Sequence, residues 1–515
     1  MGNDQDSTAH VASTSARFLR SWLNRRRCKR SQVRSVYRDL EEIYRGQPEH
    51  HSRPTHLAIN VQHIELQQHR NSRPNAFSGL LGYAYRQGAT GMSKLILGWQ
   101  DDRPRRSAGF HAWPRGEDRY TGNDLIEDGS EAHVLVTGPT GAGKGRSLII
   151  PNLLQWKASA IVVDVKGENA MTTARYRRDL GQRVVILDPF SVVSDGSDAL
   201  NPLDWMANSP EYVADNSMTL SETLTGGRRS EKEPFWDDEA NEFCAGLIAH
   251  CATQPDPAKR NLGGLHDILT SDDTVHDIAV MLDTLPNMNP YARRQLVNFL
   301  QHEGEKVRSS IRSTAQQHVR IFGSPLVQRA VTCTTFDLSA VKDGEPITIY
   351  LVIPASRLVS HAGLLRIWLA VLLGVIAERR LRPDQPTLLI VDELAQLGPM
   401  PLLLQAVTLL RGYGLRAMLL LQSMSQLKAM WPHDHQTVID NCGAMVSFGP
   451  VRPNIATELI GFMGTASAEQ FDRMSGDQVM LSMVGQHARV ARKLDYLRDS
   501  LFSGRYDLNR FYQRK

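Results

Sequence analysis

From residue 131 onward the chain alternates short apolar runs with stretches of helical period. Runs at 134–137 (VLVT), 160–165 (AIVVDV) and 183–187 (RVVIL) are dominated by Val, Ile and Leu. Strands covered on both faces read as continuous apolar runs of this kind. The stretches from Lys144 through Leu153 and from about 168 to 178 carry helical spacing between them. This alternation predicts a parallel sheet with crossover helices. The pattern changes at Asn201-Pro202. Residues 204–330 hold no strand-like run, and amphipathic stretches recur near 212–224, 236–252, 273–284, 291–302 and 304–321. They predict a helical insertion. Strand-like runs resume at 347–353 (ITIYLVI), 387–392, 416–421 (RAMLLL) and near 443–448, with a helix expected at 362–381. No internal repeat is visible.

The expected organisation is therefore a basic N-terminal segment (1–75) with one helix near 32–45, and a small lead-in rich in Gly and Pro (76–130). The nucleotide-binding domain follows in two parts, 131–205 and 336–515, with an inserted all-α domain (206–335) between them. The fold class is α/β.

Composition narrows this little further. The 515 residues are 41% hydrophobic and 22% charged, which marks a globular chain rather than a disordered one. The net charge is only +4, but residues 17–38 hold nine Arg/Lys and no acid. Basic charge concentrated in this way suits nucleic acid or an anionic membrane surface, although a solvated tail reads the same. The five cysteines form no C-x-x-C pair, so neither a disulfide framework nor a zinc site is indicated and a reducing cytoplasm fits. No secretory signal and no run of about 18 apolar residues is visible.

The candidate chemistry sits at two of the predicted strand ends. Residues 138–144 read GPTGAGK, the G-x-x-x-x-G-K phosphate-binding loop, with a strand before and a helix after. A triphosphate needs backbone N–H donors closing on it from several sides. Gly138, Gly141 and Gly143 let the backbone approach and adopt positive φ. The helix N-terminus favours anions, and Lys144 would reach the β- and γ-phosphates. The expected nucleotide contacts are Gly138, Pro139, Thr140, Gly141, Ala142 and Gly143, with Lys144, Gly145 and Arg146 opening the helix. The Ser/Thr that usually follows the lysine and helps to hold Mg²⁺ is Gly145 here; the nearest hydroxyls are Thr140 and Ser147. At 387–393, TLLIVDE runs from an apolar strand into Asp392 and Glu393. Asp392 is placed to hold Mg²⁺ through water, and Glu393 to polarise an attacking water.

The run GPTGAGKGRSLIIPNLLQW resembles the TraG/TraD-type coupling ATPases of type IV secretion and conjugation. So do VVDVKGE ending at Glu168, DPF (188–190), NPLDW (201–205), FWDDEA (235–240), VDELAQLG (391–398), RGYG (411–414), LQSMSQL (421–427) and DNCG (440–443). The resemblance spans about 131–505. It implies a RecA-like P-loop NTPase with an inserted all-α domain, working as a homo-hexamer with ATP and Mg²⁺. It also implies an ATPase that couples single-stranded DNA and its relaxase to type IV secretion channel components. By position it makes Gln422 the γ-phosphate sensor and Arg411 or Arg416 the arginine finger that reaches a neighbour's nucleotide. Family members usually carry N-terminal transmembrane helices. The expectation here is a cytoplasmic chain, peripheral at the inner face of the cytoplasmic membrane. It would be held there by a membrane-anchoring partner or by its basic segment on anionic lipid. The competing readings are an ATP-regulated platform that recruits relaxase or protein substrates without acting as a motor, and a related DNA pump unconnected with secretion.

Overall fold

The computed structural model describes residues 93–100, 124–207, 210–226, 233–449, 451–464 and 466–510. The basic segment 1–75, with its expected helix, and most of the lead-in lie outside the described residues. Eleven strands form one sheet: β1 (Leu95–Gln100), β2 (Leu125–Asp128), β3 (His133–Thr137), β4 (Ala160–Asp164), β5 (Arg183–Leu187), β6 (Ile347–Val352), β7 (Thr387–Val391), β8 (Leu415–Leu421), β9 (Cys442–Phe448), β10 (Gln478–Met483) and β11 (Arg489–Arg492). Their order across the sheet is β2-β1-β11-β10-β9-β3-β8-β7-β4-β6-β5.

From β9 to β5 every pairing is parallel. These are the strands the apolar runs predict, and their side chains are buried on both faces. On the other flank, β9-β10, β10-β11, β11-β1 and β1-β2 are all antiparallel. The sequence pattern does not reveal this flank. Two of its strands, β2 and β11, have only four residues each, and β1 carries Gly98 where the β1–β2 register shifts.

One face of the sheet carries Val134, Val162, Tyr350, Ile390 and Leu420, packed against Leu148, Ile149 and Leu153 of the helix that follows β3. The opposite face carries Leu135, Val163, Leu351, Val391 and Leu419. That second core continues without a break into the helices between β5 and β6. These include Val213–Thr225, Pro234–Ala252, Leu262–Leu269, Thr274–Thr284, Pro290–Gln301 and Glu305–Val319. At their centre the rings of Phe243 and Phe299 stack at 3.9 Å.

The helix expected at 362–381 spans Ala355–Ala377, 23 residues, beginning seven residues earlier. By length and composition it could cross a membrane, but 72% of its apolar window is buried, between the sheet and the inserted helices. Its apolarity reflects contact on all sides. The Trp205 ring lies against Gly374, where any Cβ would collide with it, and Trp205 Nε1 donates to Glu378 Oε1 at 2.7 Å. Trp368 Nε1 donates to Leu200 O at 3.1 Å.

Candidate nucleotide site

The loop after β3 takes its shape from one hydrogen bond, one close approach and two left-handed glycines. Gly138 N donates to Leu421 O at 3.1 Å, fixing the loop to the end of β8. A Cβ on Gly138 would lie 2.7 Å from Phe448 Cβ, so only glycine fits there. Gly141 and Gly143 take φ of +80° and +91°, conformations that favour glycine. The chain then enters a helix whose first turn is a wide π turn, Gly145–Ile149, continuing as α over Ile150–Gln155. Asn152 is buried and hydrogen-bonds the backbone of Ile96 through both amide atoms at 2.8 Å, tying this helix to β1.

The strand order brings the second motif to the loop. β8 lies between β3 and β7, so Gln422, at the end of β8, stands between the phosphate loop and the acid pair. Alternation along the strands sets Asp164, Asp392 and Gln422 on the sheet face that carries the phosphate-loop helix. Glu393 is one of two non-glycine residues with positive φ among the described residues (φ 70°, ψ 61°). The left-handed turn brings its carboxylate to Gln422, whose Nε2 donates to Glu393 Oε1 at 2.9 Å. Strain of this kind costs on the order of 1–3 kcal/mol and persists only where surrounding contacts impose it.

Electrostatics follow from the same packing. Burial lowers the pKa of Lys144, against the opposing pull of Glu393 and Asp392. Its ammonium donates to Gly138 O within its own loop. Burial pushes Asp392 up to about 6, with Lys144 acting to lower it. Asp164, wholly buried at the end of β4, is pushed up to about 7 by burial. Its Oδ2 accepts from Ala170 N at 2.9 Å, while its Oδ1 has no partner. Asp392 and Glu393 acting on Lys144 beside a glycine-lined loop, with Asp164 behind Asp392, form a site whose charge balance is completed by a polyanion with a divalent cation. The residues present fit that pair.

The other expected contacts are placed less directly. Pro139, Thr140 and Gly141 form the exposed crest of the loop, and Ala142 and Gly143 line its descent. Arg146 is engaged by Asp495, with Nε–Oδ1 at 2.8 Å and Nη2–Oδ2 at 2.6 Å. Its side chain therefore braces the phosphate-loop helix against the segment after β11. Gly145 offers only backbone.

Of the two arginines considered for the finger, Arg416 is excluded. Its guanidinium is 1% exposed, pairs with Asp128 at 2.6 Å, and donates to Ala132 O and Asp128 O. Arg411 is exposed in the turn Leu410–Tyr413 that precedes β8. It lies at the opposite end of that strand from Gln422, about 20 Å of extended chain away. It therefore does not reach the phosphate loop of its own subunit.

One further group carries no local signal in the sequence. Lys493, after β11, donates to Ala142 O at 2.9 Å and to Gly476 O at 2.7 Å, with its ammonium 5.0 Å from the centre of the Phe448 ring. It supports the phosphate loop from behind across 351 residues of sequence.

The family model described as "Type IV secretory system Conjugative DNA transfer" matches residues 100–502. The chain belongs to this family of type IV coupling proteins. Among its relatives is the conjugal transfer protein TraG of Escherichia coli, 23% identical over 70% of this chain and 59% of the relative. Another is VirD4 of Rhizobium radiobacter, 25% identical over 73% of this chain and 51% of the relative. The chain thus spans between half and three fifths of the length of these two relatives. The fold is that of the bacterial conjugative coupling protein TrwB, a RecA-like P-loop NTPase. The unbound form of TrwB superposes with a TM-score of 0.56 at 16% identity, covering 74% of this chain and 89% of TrwB. TrwB in complex with a non-hydrolysable ATP analogue gives 0.53 at 17% identity, covering 70% and 85%. TrwB with ADP and Mg²⁺ gives 0.53 at 16%, covering 79% and 96%.

Proposed function

We propose that this coupling protein is an oligomeric ATPase that recruits single-stranded DNA with its relaxase and drives it towards a type IV secretion channel. The observation that carries this reading is the Gln422–Glu393 hydrogen bond at 2.9 Å, set beside the phosphate loop by a strained backbone. A platform that only binds nucleotide has no use for a carboxylate held in that conformation. The nucleotide is ATP, and the relatives solved with ADP and Mg²⁺ or with an ATP analogue support this choice.

In this mechanism the loop 138–143 holds the phosphates through backbone N–H groups, and Lys144 leaves Gly138 O to meet them. Mg²⁺ would supply charge neutralisation at the phosphates, with Asp392 holding its water shell. Glu393 accepts the proton of the attacking water. Gln422, bonded to Glu393, links the position of that carboxylate to the end of β8. Because β8 begins at the Arg411 turn, a change at the Gln422 end has a rigid route to the edge of the subunit. Arg411 acts in a neighbour's site, so turnover requires assembly, as a homo-hexamer. The helices between β5 and β6 form the inserted all-α domain that receives relaxase or other protein substrates. The protein works at the inner face of the cytoplasmic membrane, with a membrane partner or its basic N-terminal segment as the attachment.

The test is steady-state ATPase rate against protein concentration, with and without single-stranded DNA, using Glu393→Gln as the blank. A rate that rises steeply with both supports an assembled DNA motor. A low, flat rate beside tight ATP binding would replace it with the recruiting platform, the reading that Gly145 favours because it removes a metal-facing hydroxyl.

A further inference from the structure

Asp164 has no part in the mechanism above, yet it stands beside Asp392. β4 and β7 are paired in parallel with Val163 opposite Val391. The next residue on each is an aspartate, Asp164 ending β4 and Asp392 standing just past the end of β7, so the two lie side by side, and alternation along the strands puts both on the face that carries the phosphate-loop helix. Like charges at matching positions repel unless a cation lies with them. Asp164 is completely buried, and half of its carboxylate is already used: Oδ2 accepts the Ala170 N–H at the start of helix Glu168–Asp179. Oδ1 has no partner. Buried polar atoms are nearly always paired, and an orphan oxygen next to an acid that faces the phosphate loop marks a place for a bound group.

We infer that Asp164 is a positioning residue for the divalent cation: with Asp392 it orients the cation's water shell, sharing the task of the phosphate-loop hydroxyl that Gly145 lacks. Mg²⁺ keeps several of its waters and is held through one or two carboxylates together with substrate phosphates, so a second carboxylate behind the first suits it. Helix capping alone would leave this role out. Capping uses one oxygen, needs no charge, and is satisfied by Oδ2.

The inference rests on the reading of the site as an ATP·Mg²⁺ site, and the experiment separates the two. Binding of a fluorescent ATP analogue to the full-length chain is titrated with Mg²⁺, and repeated in EDTA. Asp164→Asn keeps an oxygen for the Ala170 N–H and removes only the charge. It should raise the Mg²⁺ concentration at half-effect by about 10- to 100-fold, while binding in EDTA and the nucleotide-free melting temperature stay near those of the wild type. If the Asn variant folds poorly, Asp164→Ser, which removes the charge together with the reach to Ala170 N, is put through the same titration, with binding in EDTA as the control for general damage. An unchanged Mg²⁺ midpoint in either folded variant would overturn the inference and leave Asp164 a helix cap. Equal weakening with and without Mg²⁺ would overturn it too, by showing general damage. A wild-type protein that binds no nucleotide would remove the ATP reading itself.

Discussion

Arg416 and Arg411 lie five residues apart, one buried in an ion pair and the other exposed, and one pair of substitutions separates structural support from the proposed finger. Arg416→Ala removes the guanidinium from a pair in which the side chains are 1% and 3% exposed. It removes the ion partner of the Asp128 carboxylate, which keeps only the Ser130 N–H at 2.8 Å, and takes donors from the carbonyls of Ala132 and Asp128, now bonded at 3.0 and 3.2 Å. Removing one partner of a buried pair costs roughly 3–5 kcal/mol. Two carbonyls losing donors at ~1–3 kcal/mol each are in keeping with that range. A typical domain is stable by only about 5–15 kcal/mol, so the variant should show a large fall in denaturation midpoint. Replacing both partners, as in Arg416→Met with Asp128→Leu, should recover part of the loss, because the stranded charge is gone. Arg411→Ala, at an exposed turn, should stay within about 0.5 kcal/mol of the wild type. Its assembled ATPase should fall by about 10³–10⁵ if Arg411 completes a neighbour's site. Urea denaturation and steady-state ATPase on the same preparations decide the matter. A stable Arg416→Ala protein that had lost turnover would refute the assignment of Arg416 to structure.

The remaining predictions concern the site and one buried imidazole. Lys144→Ala should abolish tight triphosphate binding in an equilibrium titration; wild-type turnover would refute the phosphate-loop assignment. Glu393→Gln should bind ATP normally but hydrolyse it about 10²–10⁴ times more slowly, and an unchanged rate in a single-turnover assay would move the base elsewhere. Glu393→Gly should raise the melting temperature while removing activity, because glycine relieves a left-handed conformation worth about 1–2 kcal/mol; a lowered melting temperature would show that the side chain's contacts outweigh the strain. His133 is pushed down to about 4 by burial, with Nε2 at 2.8 Å from Val407 O and Nδ1 accepting from Ala417 N. Its neutral form is the folded one, so its stability contribution is complete above pH 6.5 and falls as pH drops towards 4, by about 3 kcal/mol in all. Asp164 and Asp392, whose pKa values burial raises, act in the opposite sense over the same range, so the test is the difference: the urea midpoint of the wild type relative to His133→Gln should shrink between pH 7 and 4.5, and a constant difference would refute the assignment.

Much of the fold was legible because its central strands are covered on both faces. Burial on both sides makes most residues of a strand apolar, with the exceptions, such as His133 and Arg416, near the strand starts, so β3 to β9 appear as apolar runs bounded by turn residues. The helices between β5 and β6 appear through their amphipathic period for the corresponding reason. The antiparallel flank was not legible. β2 and β11 are four residues each, and β11 reads RVAR, which has the look of a polar loop. Its place in the sheet depends on β10 and β1 on either side. The length of the Ala355–Ala377 helix was missed at its start, where polar residues such as Ser356, Arg357 and Ser360 dilute the apolar signal.

At the site, the sequence by itself determined which chemical groups are available. A glycine-spaced loop closing on a lysine, and an acid pair at the end of an apolar strand, are local patterns whose spacing along the chain is itself the requirement. Only the tertiary structure decided how they meet. Strand order is set by packing between segments hundreds of residues apart, and it put Gln422 between the loop and Glu393 and set Asp164 beside Asp392. The same packing turned Glu393 into a conformation its own backbone disfavours, and it buried Arg416 against Asp128 while leaving Arg411 at the surface. Residue type and spacing are one-dimensional properties and can be read directly. Burial, register and charge partners arise from contacts between distant segments, and these exist only once the chain has folded.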